Sequence, residues 1–122
     1  MPKLPPVPKT FTTVIAERRL SVESSTRSRA LRIQIGAPIQ DVPTVSGFDW
    51  RCPIRFTGHS ASRRAVQACG VDSLQSLVHA FKLVEMEIAS IEQSPGTRVR
   101  WFDTLSHGVP HFELPTMVPK VA

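Results

Sequence analysis

Residues 70–94 read GVDSLQSLVHAFKLVEMEIASIEQS, the only long segment of the chain with an unambiguous helical period. At about 100° per residue, Leu74, Leu77, Val78, Phe81, Val84, Ile88 and Ile91 fall on one face, with Ala80 and Ala89 at its margins, so a core-facing stripe is expected there. Asp72 is a suitable N-cap, and Gln75, three residues on, can return a bond to the backbone at the cap. The helix should therefore begin near Ser73. It should end at Ser94, Pro95 and Gly96, because proline disfavours helical backbone in the residue before it and glycine frees the exit. Off the stripe, Leu83 and Met86 lie on the opposite side beside His79 and Ser90, which makes them the candidates for self-association or for a contact with a proline-rich arm.

Working outward, the segment before the helix reads as strands. Residues 11–22 (FTTVIAERRLSV) are β-branched and apolar, with charges intruding at Glu17, Arg18 and Arg19, so a strand with a bulge or bend near Arg18 is expected. The polar run ESSTRSR then makes a hairpin loop. Residues 30–36 alternate cleanly, Leu31, Ile33 and Ile35 to one side and Arg32 and Gln34 to the other. The stretch 36–47, with two prolines and two glycines, reads as a long connection with at most a short extended piece at Ile39. A second clean alternation follows, Trp50, Cys52, Ile54 and Phe56 against Arg51, Pro53 and Arg55. Pro53 has no N–H for a ladder, so this strand should lie at an edge or carry a bulge. Residues 63–69 (RRAVQAC) make a fourth strand of small residues, and 98–102 (RVRWF) have strand character.

The expected fold class is therefore α+β: an antiparallel sheet of four to five strands with one long α-helix packed on one face. With 122 residues, 41% hydrophobic, the chain has room for one core. The division is a proline-rich N-terminal arm at 1–10, a single α+β domain at 11–102 and an irregular C-terminal arm at 103–122. No apolar run is long enough for a signal sequence or a membrane span, so a soluble cytoplasmic protein is expected. Cys52 and Cys69, without CxxC spacing, read as buried free thiols, a disulfide between them being the alternative.

The features from Val14 to Glu92 resemble a family of small bacterial proteins known as a domain of unknown function. They are the IQIGAP ending of the second strand, the W-x-C of Trp50 and Cys52, and above all GVDSLQSLVHAF at 70–81, similar to the family's Gly-x-Asp-Ser-Leu-Gln-Ala-Leu helix start. Ser76 stands where alanine is usual, and Pro53 follows the cysteine where a less restrictive residue is common. The resemblance covers about two thirds of the chain and implies a fold but no reaction or catalytic set.

Charge divides the chain unevenly. Residues 1–64 hold eleven Lys or Arg against four acids, net +7, while 65–122 hold four against six, net −2. Nine of the ten basic residues from Lys9 to Arg64 are arginines, whose planar forks suit carboxylate or phosphate. Arg32, Arg51 and Arg55 are the partner-binding candidates, because alternation sends them away from the apolar face while one helix covers only that face. The favoured reading is a non-enzymatic protein-interaction or accessory module, an immunity-type partner among the options, with an acidic protein partner preferred to nucleic acid. A nucleic-acid reading draws on the pI near 10, but Trp50 and Phe56 sit on the face opposite Arg51 and Arg55, which denies them a shared stacking platform. A thiol enzyme using Cys69, just before the helix, with His59 or His107 as base, is the third reading. His107 and His111 have H-x3-H spacing, but HGVPH is a poor helix and no CxxC accompanies it, so no metal is expected. No phosphate-binding loop, dinucleotide turn, HExxH or GxSxG is present, so no cofactor and no catalytic residue are expected.

Overall fold

The structure, a computed structural model, describes residues 3–59, 64–101 and 108. Its elements in order are β1 (Val14–Glu23), β2 (Ser28–Gly36), β3 (Ile39–Thr44), β4 (Gly47–Thr57), β5 (Arg64–Gly70), α1 (Ser73–Glu92) and β6 (Arg98–Arg100). All strand pairs are antiparallel, so the chain is α+β. The C-terminal arm, with His107 and His111, lies outside the described residues except for Gly108.

The sheet has six strands rather than four or five, in the order β3-β4-β2-β1-β6, with β5 on β4. The extra one is β3, in the stretch read as a connection. It returns on β4 through the two-residue turn at Val45 and Ser46. β5 pairs with β4 all along residues 50–56, so β2 and β3 must share the other edge of β4 end to end. The last β2 partner on β4 is Ile54 and the first β3 partner is Arg51. Cys52 and Pro53 therefore sit at the changeover, where the missing N–H of proline is tolerated. The expectation of an edge or bulged strand at Pro53 is corrected: β4 is flanked on both edges and keeps an unbroken register with β5. The irregularity in β1 also lies earlier than Arg18, between Val14 and Ala16, and Arg18 pairs in register with Ile33.

One buried cluster joins Leu20, Val22, Leu31, Ile33, Ile35, Cys52, Ile54, Phe56, Ala68 and Val99 of the sheet with Ala80, Val84, Ile88 and Ile91 of α1. The helix touches β5, β4 and β6. Its buried residues are Ser76, Ala80, Val84, Glu87, Ile88 and Ile91, so it is rolled away from the expected stripe: Leu74 is 67% exposed, and Leu77 and Phe81 are only half-buried. The cause is a close approach. A Cβ on Gly70 would lie 2.5 Å from the Ser76 backbone nitrogen, so small residues, Ser76 and Ala80, face the sheet at this end. Leu83, expected opposite the core, is half-buried and packs against the cluster, which corrects its placement. The start of the helix follows the capping logic: Asp72 Oδ1 accepts from the Gln75 N–H at 2.7 Å, and Gln75 Oε1 accepts from the Val71 N–H at 2.8 Å.

The N-terminal arm joins the sheet on the side away from α1. Thr13 O accepts from the Ala37 N–H at 2.8 Å, and Thr12 Oγ1 donates to Ala37 O at 2.7 Å. Thr10 and Phe11 then pass over β4, where they meet the arginines.

Candidate functional site

Alternation places Arg32, Arg51 and Arg55 on the sheet face away from the core cluster, but it does not say what covers that face. Arg51 is 0% exposed. Its Nε and Nη2 donate to the two oxygens of Asp41 at 2.7 and 3.0 Å, a bidentate pair. Nη1 donates to Thr10 O at 2.7 Å and to Gln67 Oε1 at 3.0 Å, and Nη2 also donates to Thr10 Oγ1 at 2.9 Å. A guanidinium has five N–H donors, and these contacts occupy all of them. Arg51 thus clamps arm, β3 and β5 onto β4, and its expected role on a wet binding face is corrected. The reason is tertiary: the arm folds back over β4 from 41 residues away.

The other two are engaged but reachable. Arg55 is half-buried, donates from Nε to Gln34 Oε1 at 3.0 Å, and lies 4.2 Å from the centroid of the Phe11 ring. Arg32 donates to Glu17, and Gln34 Nε2 donates to the same oxygen at 2.9 Å. The Arg32 hydrogen bond, foremost, holds the Glu17 carboxyl below its ordinary value of 4.5. Arg19, opposite Arg32 across the strands, is the more exposed neighbour, 3.8 Å from Glu17.

A different basic site lies at the end of the β1–β2 hairpin. A cavity of about 200 Å³ is lined by Val22, Ser24, Arg27, Arg29, His59 and Thr97. Arg27 and Arg29 are exposed, and neither guanidinium has a carboxylate partner among the described residues. His59 lines the same cavity, and its Nδ1 is buried with no hydrogen-bond partner among the described residues. No acid is among the lining side chains. From the sequence ESSTRSR reads only as a loop; the signal that could single it out is two arginines spaced by one residue with no acid between Glu23 and Asp41.

The thiols separate. Cys52 points into the core, its Sγ donating to Gly36 O at 3.4 Å, and burial pushes its thiol up to about 11. Cys69 is exposed, which corrects its reading as a buried thiol. Cys52 pairs with Ala68, so Cys69 belongs to the opposite face, and both cysteines are free thiols. Desolvation raises the Cys69 thiol too, against the lowering charge of Arg51. It therefore carries the protonated form at neutral pH, the reverse of an activated nucleophile. His79 Nδ1 lies 2.8 Å from the backbone oxygen of Cys69, not poised on its sulfur.

Leu83 and Met86 share a cleft of about 240 Å³ with Phe56, Val66, Glu87 and Ser90; Met86 is exposed. Among the described residues no three His, Cys, Asp or Glu side chains gather as a metal site. No helix among them is long and apolar enough to cross a membrane.

Residues 16–111 match the model of a family described as a domain of unknown function (DUF6968), in agreement with the family-level resemblance drawn from the sequence motifs. No curated protein and no solved structure matches the chain.

Proposed function

The chain belongs to the DUF6968 family, and on that premise we propose that it is a non-enzymatic interaction module whose hairpin end receives an acidic group of a partner protein. The observation that carries this reading is the cavity at Arg27, Arg29 and His59, where two guanidiniums share a concave wall with the Ser24 and Thr97 residues and no carboxylate. Two arginine forks offer parallel N–H pairs to a carboxylate or a phosphate, and about 200 Å³ accommodates such a group but not a large cofactor. Arg19 and Arg32 belong to the other face of the sheet and are paired with Glu17, and Arg51 is sealed, so none of the three takes part.

An acidic protein is favoured over nucleic acid because, among the described residues, no Phe or Trp lines the cavity of Arg27 and Arg29: Phe56 is buried, and Phe11 and Trp101 already lie under Arg55 and Arg18. The elevated Cys69 thiol supports the non-enzymatic part of the reading. Two free cysteines agree with a reducing, cytoplasmic setting.

The test uses a glutamate-rich peptide and a random DNA duplex as probes, at low and physiological salt, against the native chain and an Arg27→Glu, Arg29→Glu double variant. The reading expects the peptide to bind the native chain and to lose at least about tenfold in the variant, since hydrogen bonds to charged groups are each worth roughly 1.5–3 kcal/mol. Unchanged peptide binding in the variant removes the hairpin site. Binding of DNA alone, falling steeply with salt, replaces the acidic-protein reading with the nucleic-acid one.

A further inference from the structure

We propose that the outer edge of β5 is a homodimer seam, on which a second copy of this chain continues the sheet about a two-fold axis centred on Gln67. This stands independently of the acidic-partner reading. Among the described residues the sheet has four edges without a strand partner, those of β3, β5 and β6 and that of β1 before Ser21, and three of them carry features that discourage pairing. β6 has only three residues, β3 contains Pro43 and a register shift between Ile39 and Val42, and the uncovered part of β1 carries a register shift between Val14 and Ala16 and the charges of Glu17, Arg18 and Arg19. Short, bulged or proline-bearing edges resist further strand addition. β5 is different: seven residues long, it follows β4 without a register shift, and from Ala65 to Gly70 it has no proline and no charge. Among the described residues its outer edge has no strand partner.

The second copy is the occupant because the strand complements itself. Antiparallel pairing about Gln67 sets Val66 opposite Ala68, Ala65 opposite Cys69, and Arg64 opposite Gly70 of the other copy, so the one charged residue of the strand faces a glycine and no like charge. The same rotation accounts for three exposed apolar side chains at once. Val71 and Leu74, 69% and 67% exposed, follow Gly70 at one end of β5. At the other end, where Arg64 pairs with Phe56, lies the cleft of Phe56, Val66 and Leu83 overhung by Met86, 56% exposed. A two-fold axis normal to the sheet keeps both helices on one face and brings Gly70 of the second copy beside Arg64. Its Val71 and Leu74 then arrive at the cleft, and the contact occurs twice.

The register makes the seam testable by disulfide trapping in the full chain. Ala65→Cys would stand directly opposite Cys69 of the second copy, with Cβ atoms about 4.5–5.5 Å apart. Within one chain, positions 65 and 69 are about 13 Å apart and cannot bridge. Mild oxidation should therefore convert Ala65→Cys to a covalent dimer, leave the native chain unlinked, and leave a Ser25→Cys variant at collisional background. Leu74→Glu, at a position exposed within one chain, should weaken the dimer about 10- to 100-fold in sedimentation equilibrium while circular dichroism stays native. A native chain that is monomeric at high concentration overturns the proposal. So does a dimer that Ala65→Cys fails to trap above background, or one that Leu74→Glu leaves intact.

Discussion

Arg51 and Arg29 are the same residue type on the same sheet, yet the first is sealed under the N-terminal arm and the second faces a cavity open to solvent. Arg51 spends all five donors on Asp41, Thr10 and Gln67, whereas Arg29 has no carboxylate partner among the described residues. Strand alternation assigns a side chain to a face; whether that face is wet depends on what crosses it. A buried and saturated guanidinium is structural, because moving it would strand a carboxylate and a carbonyl, while an unsatisfied exposed one is available for a ligand at little cost.

The largest expected effect tests the sealed half of this comparison. Arg51→Ala should cost about 3–5 kcal/mol in denaturant melts, because Asp41, the Thr10 carbonyl and Gln67 lose a shared partner at the centre of the sheet. A loss below about 1 kcal/mol, the range of exposed pairs, would show that the cluster is solvated and that the two arginines are alike after all.

A smaller effect is expected where the arm is only half-buried. Phe11→Ala removes the ring beneath Arg55 and should cost about 1–2 kcal/mol, less than a fully buried aromatic. Amide exchange at Ala37, whose N–H donates to Thr13 O, should accelerate in the same variant; unchanged exchange there would mean that the arm is held without Phe11. At the open end, Arg27→Ala with Arg29→Ala should shift stability by no more than about 0.5 kcal/mol, and a larger loss in thermal melts would make the hairpin site structural.

The smallest effect is pH-dependent. Glu17 is held below its ordinary value of 4.5 by Arg32 first and Gln34 next, so its pairing contributes above pH 4.5 and is lost as pH falls through the lower, folded value. Glu17→Gln should flatten the acid limb of a stability profile below pH 4.5 and leave its neutral part with the same slope. An unchanged acid limb would show that Glu17 titrates as if unpaired.

What was legible in the chain was local. The alternation of Leu31, Ile33 and Ile35, and of Cys52, Ile54 and Phe56, placed these residues on the face that is buried. Asp72 and Gln75 announced the helix start because capping involves residues only a few positions apart. β3 was hidden because Pro43 and the register shift mask its alternation, and it is stabilised by its pairing with β4. The hairpin site was hidden because Arg27 and Arg29 meet His59 and Thr97 only in the folded chain.

The helix makes the same division on a single element. Its length, its caps and the α+β class follow from the sequence by itself, since period and capping are set within a few residues. Its roll does not: seven apolar residues define a broad stripe, and several orientations would bury most of it. Gly70 and its close approach to Ser76 select one in which Ala80 is buried and Leu74 is left outside. Likewise, the sequence put Arg51 on the second face, but only the fold brought Thr10 across 41 residues to cover it. Short-range periodicity can be read along the chain, whereas the partner that closes a surface comes from a distant segment and is chosen by packing.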